Sequence, residues 1–235
     1  MIQGGFMALF YEQFVKRENV EGMIFDVDGT LLDSMPVWAH SGERYLATLG
    51  VSAPSSLGRI LFSMTMQQGA AYIKNTFGLE QTADQIQAGI IGIVEEAYRN
   101  ETGYKRAADL FLKALHAAGV PMAVVTSNDR PLVQAAFERL GMMSYFTEIL
   151  TCREFGSGKD SPEIFHAAAG KIGAPPSGIW VVEDGLYAIR TAKKAGYRVI
   201  GVADEASRED AENIRRLADY FITDYAENVW NEGKA

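Results

Sequence analysis

The sequence lacks several features that would assign a class at once. A single cysteine, Cys152, stands in 235 residues. No disulfide can close within the chain, and a reducing, cytoplasmic setting is the expectation. Basic residues are outnumbered, with 22 Lys and Arg against 30 Asp and Glu and a formal net charge of -8. There is no basic stripe of the kind a phosphate backbone demands, so nucleic acid is not an expected partner. Long apolar runs are missing too. The cluster Phe6-Met7-Ala8-Leu9-Phe10 is too short to span a bilayer. Lys16 and Arg17 follow it, whereas a secretory signal carries its basic residues in front. The segment 1–20 reads as an extra amphipathic helix, and no membrane partner is expected. No repeat of fixed period and no low-complexity tract is visible. A P-loop is excluded as well. Arg153 stands where its first glycine belongs, and Asp160 follows Lys159 in place of Ser or Thr. Of the three histidines, His116 and His166 fall on core helix patterns, and His40 alone is free to face a site.

Apolar residues make up 48% of the chain, enough for a sizeable core. Short apolar runs alternate with helical patterns. Gly22–Phe25, Met122–Val125, Ile179–Val182 and Val199–Val202 read as buried strands, and Glu148–Leu150 and Tyr220–Ile222 as weaker ones. Continuous apolar strands of this length belong to a parallel sheet covered on both faces. Leu110, Phe111, Ala114 and Leu115 share one helix face. Leu132, Ala136 and Leu140 share another, closed by Gly141. Ser161-Pro162 predicts an N-cap with Pro at N1, opening a helix with Ile164, Phe165, Ala168 and Ile172 inward. The alternation predicts a doubly wound α/β fold with a mostly parallel, Rossmann-like sheet.

Between residues 35 and 103 the strand rhythm stops. Trp38, Tyr45, Leu46 and Leu49 recur at helical spacing, as do Ile86, Ile90, Ile93 and Ala97. So long a stretch is not a mere loop. The expected organisation is an α/β core of residues 1–34 and 104–235, with an all-helical cap over 35–103.

Four polar clusters fall at strand carboxyl ends, the edge where open α/β sheets bind ligands. They are Asp26-Val27-Asp28-Gly29-Thr30-Leu31-Leu32-Asp33-Ser34, Thr126-Ser127-Asn128, Lys159, and Glu183-Asp184. Singly, each has an ordinary reading: a chance D-x-D, a helix N-cap, a solvated lysine, a polar turn. Their joint order and complementary charge point to chemistry. Asp26, Asp28 and Asp184 would repel one another without a cation, and no other neutralising partner is evident. Mg²⁺, which takes oxygen ligands and few carboxylates, suits them. Asp26 is then placed as a nucleophile toward a phosphoryl group, and Asp28 as the group that gives and takes a proton. Thr126, Ser127 and Asn128, with nearby backbone N–H groups, offer donors to phosphoryl oxygens, and Lys159 adds positive charge.

The first cluster resembles the first motif of the haloacid dehalogenase-like superfamily. Val125-Thr126-Ser127-Asn128 is similar to its second, Gly158-Lys159-Asp160-Ser161-Pro162 to its third, and Val181-Val182-Glu183-Asp184 to its fourth. The helical insert resembles the small cap of the subgroup with phosphoglycolate phosphatase, β-phosphoglucomutase and phosphonatase. The resemblance implies Asp26 as nucleophile and metal ligand, and Asp28 as acid/base with its backbone carbonyl on Mg²⁺. It implies Thr126 and Lys159 on the phosphate, Asp184 on the metal, and Glu183 there directly or through water. Gly185 departs from the usual Ser or Ala but removes no ligand. Asp28 argues against dehalogenation. Trp38 stands where the mutases carry a cap histidine, and Lys74, the one cap lysine, lies on an ordinary helix face, against the Schiff-base lysine of phosphonatases. Trp38, Arg59, Met64 and Met66 are candidate pocket residues, although helix packing explains Trp38 and both methionines as well. The implied function is a Mg²⁺-dependent phosphatase acting on a small phosphorylated metabolite, with a phosphosugar mutase as the alternative. A monomer or homodimer is expected.

Overall fold

The computed structural model describes residues 2–61 and 64–226. The chain divides into two compact units, Met1–Asp33 with Gly103–Ala235, and Ser34–Thr102. The described α-helices are α1 (Ile2–Arg17), α2 (Met35–Thr48), α3 (Leu57–Leu61), α4 (Met66–Phe77), α5 (Ala83–Asn100) and α6 (Ala108–Ala117), then α7 (Arg130–Leu140), α8 (Cys152–Phe155), α9 (Glu163–Ile172), α10 (Leu186–Lys194) and α11 (Ala211–Leu217). The strands are β1 (Gly22–Phe25), β2 (Met122–Thr126), β3 (Phe146–Thr151), β4 (Ile179–Glu183), β5 (Arg198–Val202) and β6 (Tyr220–Ile222).

The first unit is built on one sheet of order β3-β2-β1-β4-β5-β6, parallel throughout. Every residue of β1, β2 and β4 is buried, the physical reason these strands are apolar up to the polar residues Thr126 and Glu183 that end β2 and β4. Strand order reverses between β1 and β4, which makes their carboxyl ends the topological switch point. On one face Ile164, Phe165 and Ala168 of α9, Ile189 of α10 and Ile214 of α11 pack with Ile24, Val181 and Val199. On the other, α1 lays an aromatic side against the sheet and α6. Tyr11 meets Phe111 with ring centroids 5.0 Å apart, and Phe14 meets Trp180 at 5.2 Å and Tyr220 at 5.7 Å. Phe10, Tyr11 and Phe14 are buried while Glu12, Gln13, Lys16 and Arg17 are exposed, so the described part of α1 is amphipathic at helical period. Each such buried aromatic contributes about 2–3 kcal/mol of apolar transfer energy.

The second unit is helical. Tyr45, Leu46, Leu57, Ala70, Ile73, Ile86 and Ile90 form its core. Thr65 with Gln68 opens α4 and Thr82 with Gln85 opens α5, each as a capping box that satisfies two backbone donors. Gly89 in α5 permits close contact with α2, because a Cβ there would lie 2.2 Å from Tyr45 Cε2. The neck of the insertion is closed within the first unit. Asp33 N–H donates to Gly103 O at 3.0 Å, and Leu32 and Tyr104 form an antiparallel bridge.

Some expectations need correction. Pro162 itself takes the N-cap place of α9, with helical dihedrals and no side-chain cap, so the helix starts one residue later than Ser161-Pro162 suggested. Leu49 is exposed because it lies past the last turn of α2. In α5 the buried stripe is Ile86, Ile90, Val94, Ala97 and Tyr98, with Ile93 only half-buried beside it. No helix among the described residues is long and apolar enough to cross a membrane.

Candidate active site

Asp26 is the first residue past β1. Its N–H donates to Val182 O at 3.0 Å, which pins it between β1 and β4. The chain then turns sharply: Leu31 and Leu32 both donate to Val27 O, at 2.9 and 2.8 Å. Gly29 sits in the turn at φ +79°, and a Cβ there would come within 2.7 Å of Asp184 Oδ2. Glycine is thus required for both backbone conformation and the approach of the neighbouring carboxylate. Thr30 Oγ1 donates to Asp184 Oδ1 at 3.1 Å. Asp28 is half-buried, and its Oδ2 accepts from Asn128 Nδ2 at 2.9 Å.

Thr126 ends β2, and its Oγ1 accepts the Asn128 N–H at 3.0 Å, shaping the following turn. Ser127 Oγ lies 3.7 Å from Cys152 Sγ. Lys159, in the loop between α8 and α9, reaches inward. Its Nζ donates to Asp26 Oδ1 at 2.5 Å and to Glu183 Oε2 at 2.8 Å, and all three side chains are buried. Glu183 Oε1 accepts N–H groups of Asp184 and Gly185 at 3.2 and 2.9 Å. Oxygens of Asp26, Glu183 and Asp184 lie within 4.8 Å of one another.

Three buried carboxylates therefore face one ammonium. Burial opposes the charge on Lys159, but Asp26 and Glu183 outweigh it and hold the lysine well above its usual pKa. Burial, then the charge of Asp26, pushes Glu183 up to about 7 against the pull of Lys159. Burial, with Glu183 and Asp26, raises Asp184 well above the carboxylate range. The cluster is short of positive charge. Hard oxygen donors close together, with uncompensated negative charge, fit a small divalent cation such as Mg²⁺.

Two features differ from the sequence expectation. The gathered carboxylates are Asp26, Glu183 and Asp184, while the Asp28 carboxylate is turned to Asn128. Asp26 and Glu183 also have a neutralising partner, Lys159. Three residues were missed. Asp204, just past β5, has a buried carboxylate paired with Lys105 Nζ at 2.6 Å, and its Cγ would lie 3.3 Å from a Cβ at Gly29. The strand-end rule that singled out Glu183-Asp184 applies equally to Asp204. Tyr225 is fully buried and its hydroxyl donates to Thr30 O at 3.1 Å, a contact with no motif to announce it.

The remaining candidates have ordinary partners. His40 pairs with Glu43 at 2.8 Å, and His166 Nδ1 lies 2.8 Å from the Tyr197 hydroxyl. Trp38 Nε1 donates to Tyr98 at 2.9 Å, and Lys74 to Gln81 O at 2.7 Å. His116 packs beside Tyr145, Arg59 and Met66 are exposed, and Met64 and Cys152 are half-buried.

A switch-point edge carrying buried acids, a buried lysine and a threonine-led turn defines an α/β enzyme with a cation-receptive site. The chain belongs to the haloacid dehalogenase-like hydrolase family, whose model matches residues 23–202. A phosphoglycolate phosphatase of Salmonella paratyphi A is 28% identical over 211 residues, covering 80% of this chain and 82% of that protein. Among solved structures, a Thermotoga maritima protein provisionally named a β-phosphoglucomutase aligns with TM-score 0.78 at 19% identity, over 90% of this chain and 97% of the other. A predicted phosphoglycolate phosphatase of Haemophilus somnus aligns with TM-score 0.71 at 23% identity, over 89% and 96%. At these identities the two structures establish likeness of fold.

Proposed function

We propose that the protein is a Mg²⁺-dependent phosphatase that hydrolyses a small phosphate monoester through an aspartyl-phosphate on Asp26. The observation that carries this reading is the buried set Asp26, Lys159, Glu183 and Asp184 at the switch point. Asp26, Glu183, Asp184 and the backbone carbonyl of Asp28 would hold Mg²⁺. When bound, the ion supplies positive charge beside the phosphate oxygens. Lys159 holds one oxygen of Asp26 and leaves the other for attack. Thr126, Ser127 and Asn128, with Lys159, bind the phosphoryl oxygens. Asp26 forms a bond to phosphorus as the ester P–O bond breaks, and Asp28 gives its proton to the leaving oxygen. Water then attacks the acyl phosphate at phosphorus and loses a proton to Asp28, and inorganic phosphate departs.

The curated relatives' name makes phosphoglycolate the first substrate to assay, within a panel of phosphorylated metabolites. The expected result is Mg²⁺-dependent release of inorganic phosphate, abolished by chelation and restored by Mg²⁺. In ¹⁸O-labelled water a single turnover should label the phosphate and leave the Asp26 carboxylate unlabelled. Undiminished turnover in metal-stripped protein defeats the metal assignment. Phosphate transfer between sugar hydroxyls with little net release would favour the phosphosugar mutase.

A further inference from the structure

We propose that Tyr225 is a positioning residue for the catalytic turn, its phenol anchoring the Thr30 carbonyl and, through Thr30, the carboxylate of Asp184. The inference rests on the metal-dependent phosphatase reading above and adds to it a residue outside the family-matched segment, 23–202. Tyr225 is fully buried beneath the turn. Its hydroxyl donates to Thr30 O at 3.1 Å, and Thr30 Oγ1 donates to Asp184 Oδ1 at 3.1 Å. The tyrosine is itself held from three sides. Its carbonyl accepts from the Tyr11 hydroxyl at 2.6 Å, its N–H donates to Arg106 O at 3.2 Å, and its ring packs 5.4 Å from Phe111. Burial, then the charges of Asp26 and Asp184, keeps the phenol protonated and hence a donor.

The turn from Val27 to Leu32 is short and carries Asp28, so a backbone anchor at Thr30 limits how far that turn can shift. A purely structural tyrosine would add stability and nothing else. A positioning tyrosine also sets the direction of Asp184, and outer-shell partners of this kind are worth about tenfold or more in metal affinity or activity.

Tyr225→Phe keeps the ring and removes the donor. The expected outcome is Mg²⁺ binding about tenfold weaker by titration calorimetry and kcat on p-nitrophenyl phosphate about tenfold lower, with KM within about twofold. Tyr11→Phe removes the bond to the Tyr225 carbonyl but leaves the phenol–Thr30 bond. It should lower Tm with Mg²⁺ affinity and kcat unchanged. Wild-type Mg²⁺ affinity and kcat in Tyr225→Phe overturn the proposal, and so does an equal loss of both in Tyr11→Phe. Should Tyr225→Phe not fold, hydrogen exchange on the wild type decides. Added Mg²⁺ is expected to slow exchange in peptides covering 224–226 together with 27–32, and protection confined to 27–32 overturns the idea. A wild type that binds Mg²⁺ but releases phosphate from no ester sinks the phosphatase reading, while the Mg²⁺ titration still tests Tyr225. A wild type that binds no Mg²⁺ sinks both.

Discussion

Asp26 and Lys159 are each other's counter-charge, and that sets what single substitutions do. Asp26→Asn keeps the shape and removes the proposed nucleophile, so turnover should fall by several orders of magnitude in a phosphate-release assay, with the far-UV spectrum unchanged. The acid cluster also predicts an unusual pH response. Burial and Asp26 raise Glu183 from an ordinary 4.5 to about 7 in the folded state. Between these values the folded protein holds more protons than the unfolded chain, so stability falls as pH rises through that window. The upward shift of Asp184 acts in the same direction. In chelator, Tm should drop from pH 5 to pH 7.5, and excess Mg²⁺ should flatten the dependence; equal slopes in both buffers would contradict the cation site. At this scale the sequence disclosed the residues that lie in compact motifs. Asp204 and Lys105 were illegible as partners because they are 99 positions apart and meet only through the fold.

The elements were legible where burial dictated composition. The six strands of the described residues could be read, most clearly the central ones, because a parallel sheet covered on both faces keeps them apolar until their carboxyl ends. Helix faces were read less well. Tyr98 looks like a surface residue by composition, yet it is fully buried in α5 and accepts the Trp38 indole N–H. The start of α9 was misread because proline replaces the side-chain cap there. Two substitutions test the packing. Phe14→Ala should destabilise the protein by about 3–5 kcal/mol in urea unfolding, since three aromatic neighbours lose contact. Gly89→Ala would gain roughly 1 kcal/mol of helix propensity at an open position. Here the new methyl meets the Tyr45 ring, so the net effect on Tm should be a decrease. An increase would mean that α2 and α5 separate freely.

For the whole molecule, the closed neck has a testable meaning. Because Asp33 and Gly103 are hydrogen-bonded and Leu32 bridges Tyr104, the first unit already joins its own ends. Replacing residues 34–102 with a short Gly-Ser linker should leave a cooperatively melting α/β protein that still binds Mg²⁺ by calorimetry. Loss of the cooperative transition would show that the first unit depends on the helical insert. Slow Mg²⁺-dependent hydrolysis of p-nitrophenyl phosphate is also expected in that variant, because the residues proposed for catalysis all lie in the first unit. The sequence made this two-part organisation legible through a break in strand rhythm. It left the substrate unread, since shape complementarity has no period to detect.

The aromatic seat of α1 carries a consequence in time. The Tyr11 hydroxyl bonds to Tyr225 O across 214 positions, and Phe14 meets Trp180 and Tyr220 edge to face. Helix α1 therefore leaves the ribosome well before the partners that seat it, one of them 214 positions later. Until then the aromatic side of α1 lacks Trp180, Tyr220 and the Tyr225 carbonyl. Contacts of such separation slow folding and lengthen the interval in which sticky surface is open to other chains. A chain halted at residue 217 should bind a hydrophobic dye strongly and aggregate, and extension to residue 226 should abolish both.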